Sequence, residues 1–362
     1  MFDTTRRKML QAMGVGGATA TIAGCADAPT DDTAETSTQT LTEQVQNSTP
    51  NEVDVDRIAA DPTDVPDPID RSEPKTHDIT LETKEVTAEI EPGVTFDYMT
   101  FDGQVPGPMI RVRQGDTINL TLENPEGNAM PHNVDFHAVY GTGGAAEATH
   151  VNPGESASVS ARMEYPGAFI YHCAVPNMDM HISSGMYGMI LVEPEEGLPE
   201  VDHEFYLGQN EMYTDKGTGK EGHHAFNMDA MADENPTYVT LNGEKYAYAA
   251  ARHGPLEVQK GDSVRVYLVT GGPNLTSNFH PIGNVWKQAW PNGAIESQPD
   301  KNVQTMKVAP GSTFVGTMDT PVPERIKLVD HALSRVTRKG LLAEVDVLGE
   351  DEPDIFDPNP NE

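Results

Sequence analysis

Apolar and polar residues alternate with a period of two through most of the chain beyond residue 76. HDITLETKEVTAEI (77–90), MIRVRQGDTINLTLEN (109–124) and SASVSARMEYPGAFIYHC (156–173) put apolar side chains on one face of an extended backbone, with Gly, Pro, Asn and Asp between the runs. The second half follows the same plan in YVTLNGEKY, GPLEVQKGDSVRVYLVTG, KVAPGSTFVGTMDT and GLLAEVDVLG. The halves also match each other. MIRVRQGDTINLTLEN (109–124) shares a strand, Gly-Asp, strand design with PLEVQKGDSVRVYLVT (255–270), and THVNPGESASVS (149–160) answers MKVAPGSTFVGT (306–317). The pattern predicts an all-β chain of two β-sandwich domains, 76–198 and 199–349, each of a size that builds one core.

Outside these limits the alternation stops. Residues 26–75 are rich in Thr, Asp, Glu, Ser, Asn and Pro, with almost no aromatic or branched apolar residue, which predicts a disordered acidic linker. Residues 350–362 read as an acidic, Pro-rich tail. Residues 1–25 read as a targeting segment: Arg6 and Arg7 precede a weakly apolar run, Met9 to Ala23, too short and too Gly-rich to span a bilayer. The paired arginines resemble the twin-arginine signal for export of prefolded proteins. Ile22-Ala23-Gly24-Cys25 resembles a lipobox, in which Cys25 becomes the lipidated first residue. The implied location is the outer face of the cytoplasmic membrane, held by a lipid anchor only, with the linker as tether.

The chain has 57 Asp and Glu against 24 Lys and Arg, a formal charge of −33, and the excess is spread along its length. Such self-repulsion is tolerated when salt screens it, which suggests a halophile. No basic patch is present, so nucleic-acid binding is excluded. The sequons at Asn119 and Asn274 are compatible with glycosylation and equally with chance.

Chemistry concentrates in Tyr171 to Gly188, YHCAVPNMDMHISSGMYG, which holds the only cysteine beyond Cys25. With Cys25 modified and Cys173 engaged here, no disulfide is expected despite export. Cys173, His181 and Met186 are a thiolate, an imidazole and a thioether, three of the four ligands of a blue-copper electron-transfer site. A second histidine must come from elsewhere. Neighbouring side chains of a strand point to opposite faces, so His172 faces away from the metal that Cys173 binds and can serve a second one. The same parity separates His132 from His137 in MPHNVDFH (130–137) and puts Asp135 on the face of His137. His132 then joins Cys173, His181 and Met186, while His137 and His172 share a second site with Asp135 pointing into it. A metal held by three protein ligands and an open position is the usual catalytic pattern, so that second site lacks a histidine. His280 (SNFHPIG) and His331 (LVDHALSR) lie beside apolar residues and are both candidates. His77, His150, His203 and His253 read as surface positions, and His223-His224 in GKEGHHAF reads as a flexible surface loop.

MPHNVDFH, FDGQVPGP, YHCAVPNMDMH, SGMYG and SNFHPIG are similar to the copper-containing nitrite reductases, over about residues 76 to 349. The resemblance implies two cupredoxin-like Greek-key domains per chain and a homotrimer. It implies type 1 copper at His132, Cys173, His181 and Met186. It implies type 2 copper at His137, His172 and His331 of the adjacent subunit. Asp135 and His280 would be the active-site pair, with Ile282 as an apolar lid over the bound anion. The implied reaction is one-electron reduction of nitrite to nitric oxide, fed by a small blue-copper or cytochrome donor. Seven residues separate Cys173 from His181, where many members have eight, which places the chain with a shorter-loop subgroup. A laccase-type oxidase would need His-x-His pairs, and none occurs. A pure electron carrier would leave Asp135, His137 and His172 without a role.

Overall fold

The computed structural model describes residues 49–360. Arg6, Arg7, Cys25 and the linker up to residue 48 lie outside the described residues. The fold is mostly β, with a few short helices. The first eight strands are β1 (Thr76–Glu91), β2 (Val94–Phe101), β3 (Ile110–Arg113), β4 (Thr117–Glu123), β5 (Asp135–Phe136), β6 (Ser156–Arg162), β7 (Gly167–His172) and β8 (Tyr187–Glu193). Twelve follow: β9 (His203–Met212), β10 (Gly222–His224), β11 (Tyr238–Leu241), β12 (Leu256–Gln259), β13 (Ser263–Gly272), β14 (Ser277–Ile282), β15 (Trp286–Pro291), β16 (Asp300–Val303), β17 (Met306–Val308), β18 (Ser312–Asp319), β19 (Glu324–Asp330) and β20 (Ala343–Leu348).

They form two sandwiches of two sheets each. One pairs the sheet β10-β2-β1-β4-β6 with β3-β8-β7-β5, and the other pairs β11-β9-β13-β18-β15-β16 with β12-β20-β19-β14-β17. The internal repeat of the sequence is a repeat of topology. β1 runs parallel to β4 and β4 antiparallel to β6, as β9 does to β13 and β13 to β18. β3, β8, β7 and β5 correspond in order to β12, β20, β19 and β14.

Among the described residues three apolar clusters form the interior. Leu120, Phe136, Ile190 and Val192 belong to the first sandwich, together with Cys173 and Met186. Leu268, Phe279, Trp286 and Phe314 belong to the second. The third joins Ile170, Tyr187, Met189 and Leu191 to Tyr206, Tyr267, Val269 and Trp290. This explains why YGMILVE breaks the alternation: every residue of β8 is buried, Ile190 and Val192 in one cluster and Met189 and Leu191 in the other. A shared apolar interior leaves the sandwiches little freedom to move apart.

Two expectations are corrected. The segment from residue 49 to 75 is not a free linker. Ile58, Ala59 and Ala60 are buried, Ile58 N and Ala59 N donate to Glu244 Oε1 at 3.1 Å each, and Tyr248 Oη and Asn242 Nδ2 donate to Ala60 O. Arg71 pairs with the buried Asp116 carboxylate. His223-His224 is not a flexible loop either, because β10 adds to β2 in parallel. The His224 ring is buried, with Nε2 on Lys220 O at 2.7 Å and Nδ1 on Thr214 Oγ1 at 3.2 Å.

Candidate metal centres

β7 ends at His172, and the next residue, Cys173, still bonds across the sheet through its N to Met186 O at 3.1 Å. Between them the chain folds into the short helix α1 (Met178–Ser183), which turns His181 back toward the sulfur. Cys173 Sγ lies 3.5 Å from His181 Nδ1 and 3.9 Å from His132 Nδ1. The two rings meet edge to face at 5.2 Å, and all three residues are fully buried. Met186 is buried in the same apolar cluster.

The surroundings orient this group. His132 exchanges both backbone hydrogen bonds with Val151, at 3.0 and 2.9 Å. Its Nε2 donates to Glu85 Oε1 at 3.1 Å, so Nδ1 keeps its lone pair for the sulfur side. Asn133 Oδ1 accepts from Ala174 N at 2.6 Å and pins the loop beyond the cysteine. Burial works against ionisation of Glu85, yet His132 and the N–H groups of Ala129 and Met130 outweigh it and hold the carboxyl below its ordinary range. Burial, with His132 nearby, lowers His181 to about 4. Burial raises the Cys173 thiol. A buried imidazole of low proton affinity at His181, facing a buried sulfur with the His132 Nδ1 lone pair beside it, is a poor site for protons and a good one for a soft cation. The donor set fits copper.

The second group lies across the Cys173 peptide bond. β5 pairs with the end of β7, Asp135 directly opposite His172, which puts both side chains on one face. His172 Nδ1 lies 3.0 Å from Cys173 O; a carbonyl only accepts, so Nδ1 carries the hydrogen and Nε2 is a free lone pair. That Nε2 meets His137 Nε2 at 3.1 Å, where a shared proton or a metal must bridge them. Burial, then His172, lowers the proton affinity of His137, while Asp135 opposes both. One ligand atom from each of Asp135, His137 and His172 lies within 4.8 Å of the others. These residues fit a metal with an open side, since His137 is exposed. Gly144 roofs Asp135: it has φ +55, and a Cβ there would overlap the carboxylate.

His132 and His137 fall into separate groups, as expected, although only Asp135–Phe136 is regular strand in that segment. His280 and His331 do not join either group within the chain. They face each other in the second sandwich, ring centroids 5.3 Å apart, His280 on β14 and His331 just past β19. His280 Nδ1 bonds Gln304 O at 2.5 Å. Asp330 accepts from Asn278, Ala332 and Arg335 and so shapes the turn that carries His331. Ile282 is 39% exposed on the same strand as His280. Glu85, Asn133 and Gly144 were not singled out in the sequence. Asn133 adjoins a ligand candidate, and the paired glycines before Ala145 mark a tight turn, but nothing marks Glu85.

Comparison with known proteins agrees with this geometry. Residues 82–197 match the multicopper oxidase family. A copper-containing nitrite reductase of Neisseria meningitidis serogroup B is 42% identical over 302 residues, 83% of this chain and 76% of that protein. One from Neisseria gonorrhoeae is 41% identical over 83% of this chain and 76% of its own length. Among solved structures, the copper nitrite reductase from Nitrosomonas europaea superposes with a TM-score of 0.68 at 31% identity, covering 77% of this chain and 96% of that one.

Proposed function

The chain belongs to the copper-containing nitrite reductases, and from that premise we propose how its two groups of metal-binding residues divide the work. The reaction joins nitrite, one electron and two protons to give nitric oxide and water. His132, Cys173, His181 and Met186 would hold a copper suited to accepting the electron, and His137, His172 and a third histidine would hold a second copper that would supply Lewis-acid and redox chemistry to nitrite. The observation that carries this division is the adjacency of His172 and Cys173, which serve different groups through one peptide bond.

Residues of this sequence do the rest, His172 and Asp135 from one copy and His280 and Ile282 from the neighbouring copy that brings His331. His172 is fixed by its Nδ1–H to the Cys173 carbonyl, so its Nε2 stays aimed at the catalytic position. Asp135 stands beside His137 and His172 and holds a proton for the departing oxygen. His280, anchored through Nδ1 on Gln304 O, keeps Nε2 free for the second proton. Ile282 would cover nitrite, a role supported by its exposure on the strand of His280. The third ligand is His331 from a neighbouring copy, which makes the active unit a homotrimer. In support, His331 is exposed and lies apart from its own chain's His137–His172 pair.

The donor is a small blue-copper protein or cytochrome docking from outside. The exported protein sits on the outer face of the cytoplasmic membrane through a lipid on Cys25; a Cys25→Ala protein still in the washed membrane fraction would refute that anchor. Two copper ions per chain and nitric oxide formed from nitrite with an artificial donor are the expected results for the function. Full copper loading without nitric oxide would refute it.

A further inference from the structure

Resting on the copper assignment above, we propose that Glu85 is a positioning residue of the electron-accepting site: it fixes the His132 tautomer and lowers the reduction potential of the copper held there. Its carboxylate is clamped at three points. Oε1 accepts from His132 Nε2 at 3.1 Å and from Met130 N at 2.8 Å, and Oε2 accepts from Ala129 N at 2.9 Å. The carboxylate therefore moves with the backbone that carries His132. Glu85 also pairs in register with Met99 of β2, whose N donates to Ser184 O at 3.0 Å, between His181 and Met186. One hairpin thus braces both halves of the ligand set.

The two imidazoles are treated unequally. His181 Nε2 is buried without a partner, whereas His132 Nε2 meets a negative charge. A carboxylate on the far nitrogen makes the imidazole a stronger donor through Nδ1 and favours the more highly charged state of a bound metal. The reduced site then releases its electron more readily.

The test uses the full chain, copper-loaded, as wild type, Glu85→Gln and Glu85→Ala, with redox titration, visible spectrum and copper retention against a chelator. Both variants should show a higher reduction potential. Glu85→Gln should keep its copper, while Glu85→Ala should lose it about 10- to 100-fold more readily, the usual cost of removing such a partner. A structural brace alone would leave the potential of Glu85→Gln unmoved, and that result overturns the proposal. If Glu85→Ala does not fold, the potential of Glu85→Gln decides. A copper-loaded wild type without a thiolate band would overturn the copper assignment itself, and this proposal with it.

Discussion

Replacing Asp135 by asparagine isolates proton handling from everything else the second group does. Asp135 faces His172 across the β5–β7 ladder, and a carboxylate oxygen lies within 4.8 Å of the His137 and His172 nitrogens. Gly144 leaves no room above it for a larger group, but an amide matches the carboxylate in size and fits the same space. The asparagine can still donate a hydrogen bond to bound nitrite; it cannot take up and return a proton. Both coppers should remain, and electron uptake at Cys173 should proceed as in the wild type. Loss of a positioned acid–base group costs about 10²- to 10⁴-fold in turnover, or about 3 to 5 kcal/mol of barrier. The assay is kcat against pH for fully loaded protein, with bleaching of the visible band as the control for electron uptake. The acid limb should change shape but not vanish, because the second proton path proposed through His280 would remain. An unchanged kcat with both coppers in place would reduce Asp135 to a solvated residue at a strand end.

Cys173→Ser should abolish the thiolate colour and leave the second copper bound; a persisting visible band would contradict the first group. His331→Ala should lose the second copper and the activity while keeping the colour, and mixing its subunits with His137→Ala subunits should restore part of both. If His331→Ala keeps both coppers, His280 becomes the candidate third ligand. For Asp116, burial opposes ionisation, but Arg71, the N–H groups of Arg113 and Lys75, and His77 prevail and hold its carboxyl well below the ordinary value. A depressed carboxylate pKa stabilises the fold above the unfolded value of about 4 and loses that contribution as pH falls further. The melting-temperature gap between wild type and Asp116→Asn should therefore be wide at pH 6 and narrow toward pH 3; a constant gap would refute it.

The first metal group was legible because its ligands sit close together in sequence. Cys173, His181 and Met186 lie in one loop, where α1 brings His181 to the Cys173 sulfur and Met186 is buried in the same apolar cluster as Cys173. Parity assigned His132 and His137 to different groups, but the physical cause is broader than a strand. His132 is held by its bridge to Val151, and Asp135 by its register with His172. The docked segment around Ile58 was not legible. Its few apolar residues look too sparse for a core, and the Glu244 carboxylate that receives its N–H groups lies 185 residues away. His224 misled for a similar reason: a Gly-rich stretch became strand β10 only because β2 offered a free edge.

The internal repeat carries the argument for a ring of copies one step further. β7 and β5 in the first sandwich correspond to β19 and β14 in the second. At the end of β7 stand His172 and Cys173, with Asp135 on the neighbouring strand; at the end of β19 stands His331, with His280 on the neighbouring strand. The chain therefore presents the same corner twice, one carrying the His137–His172 pair and the other the His280–His331 pair. Each pair alone is too few ligands for a catalytic metal. A two-fold dimer through the first corner would set like against like, and neither pair would meet His331. A head-to-tail contact sets the first corner of one copy on the second corner of the next, and such contacts close into rings when the rotation allows. Copper at the second group would then bridge subunits, so removing it should loosen the assembly while the buried copper keeps its colour. An assembly whose size and stability ignore His331→Ala would break this link between the repeat and the ring.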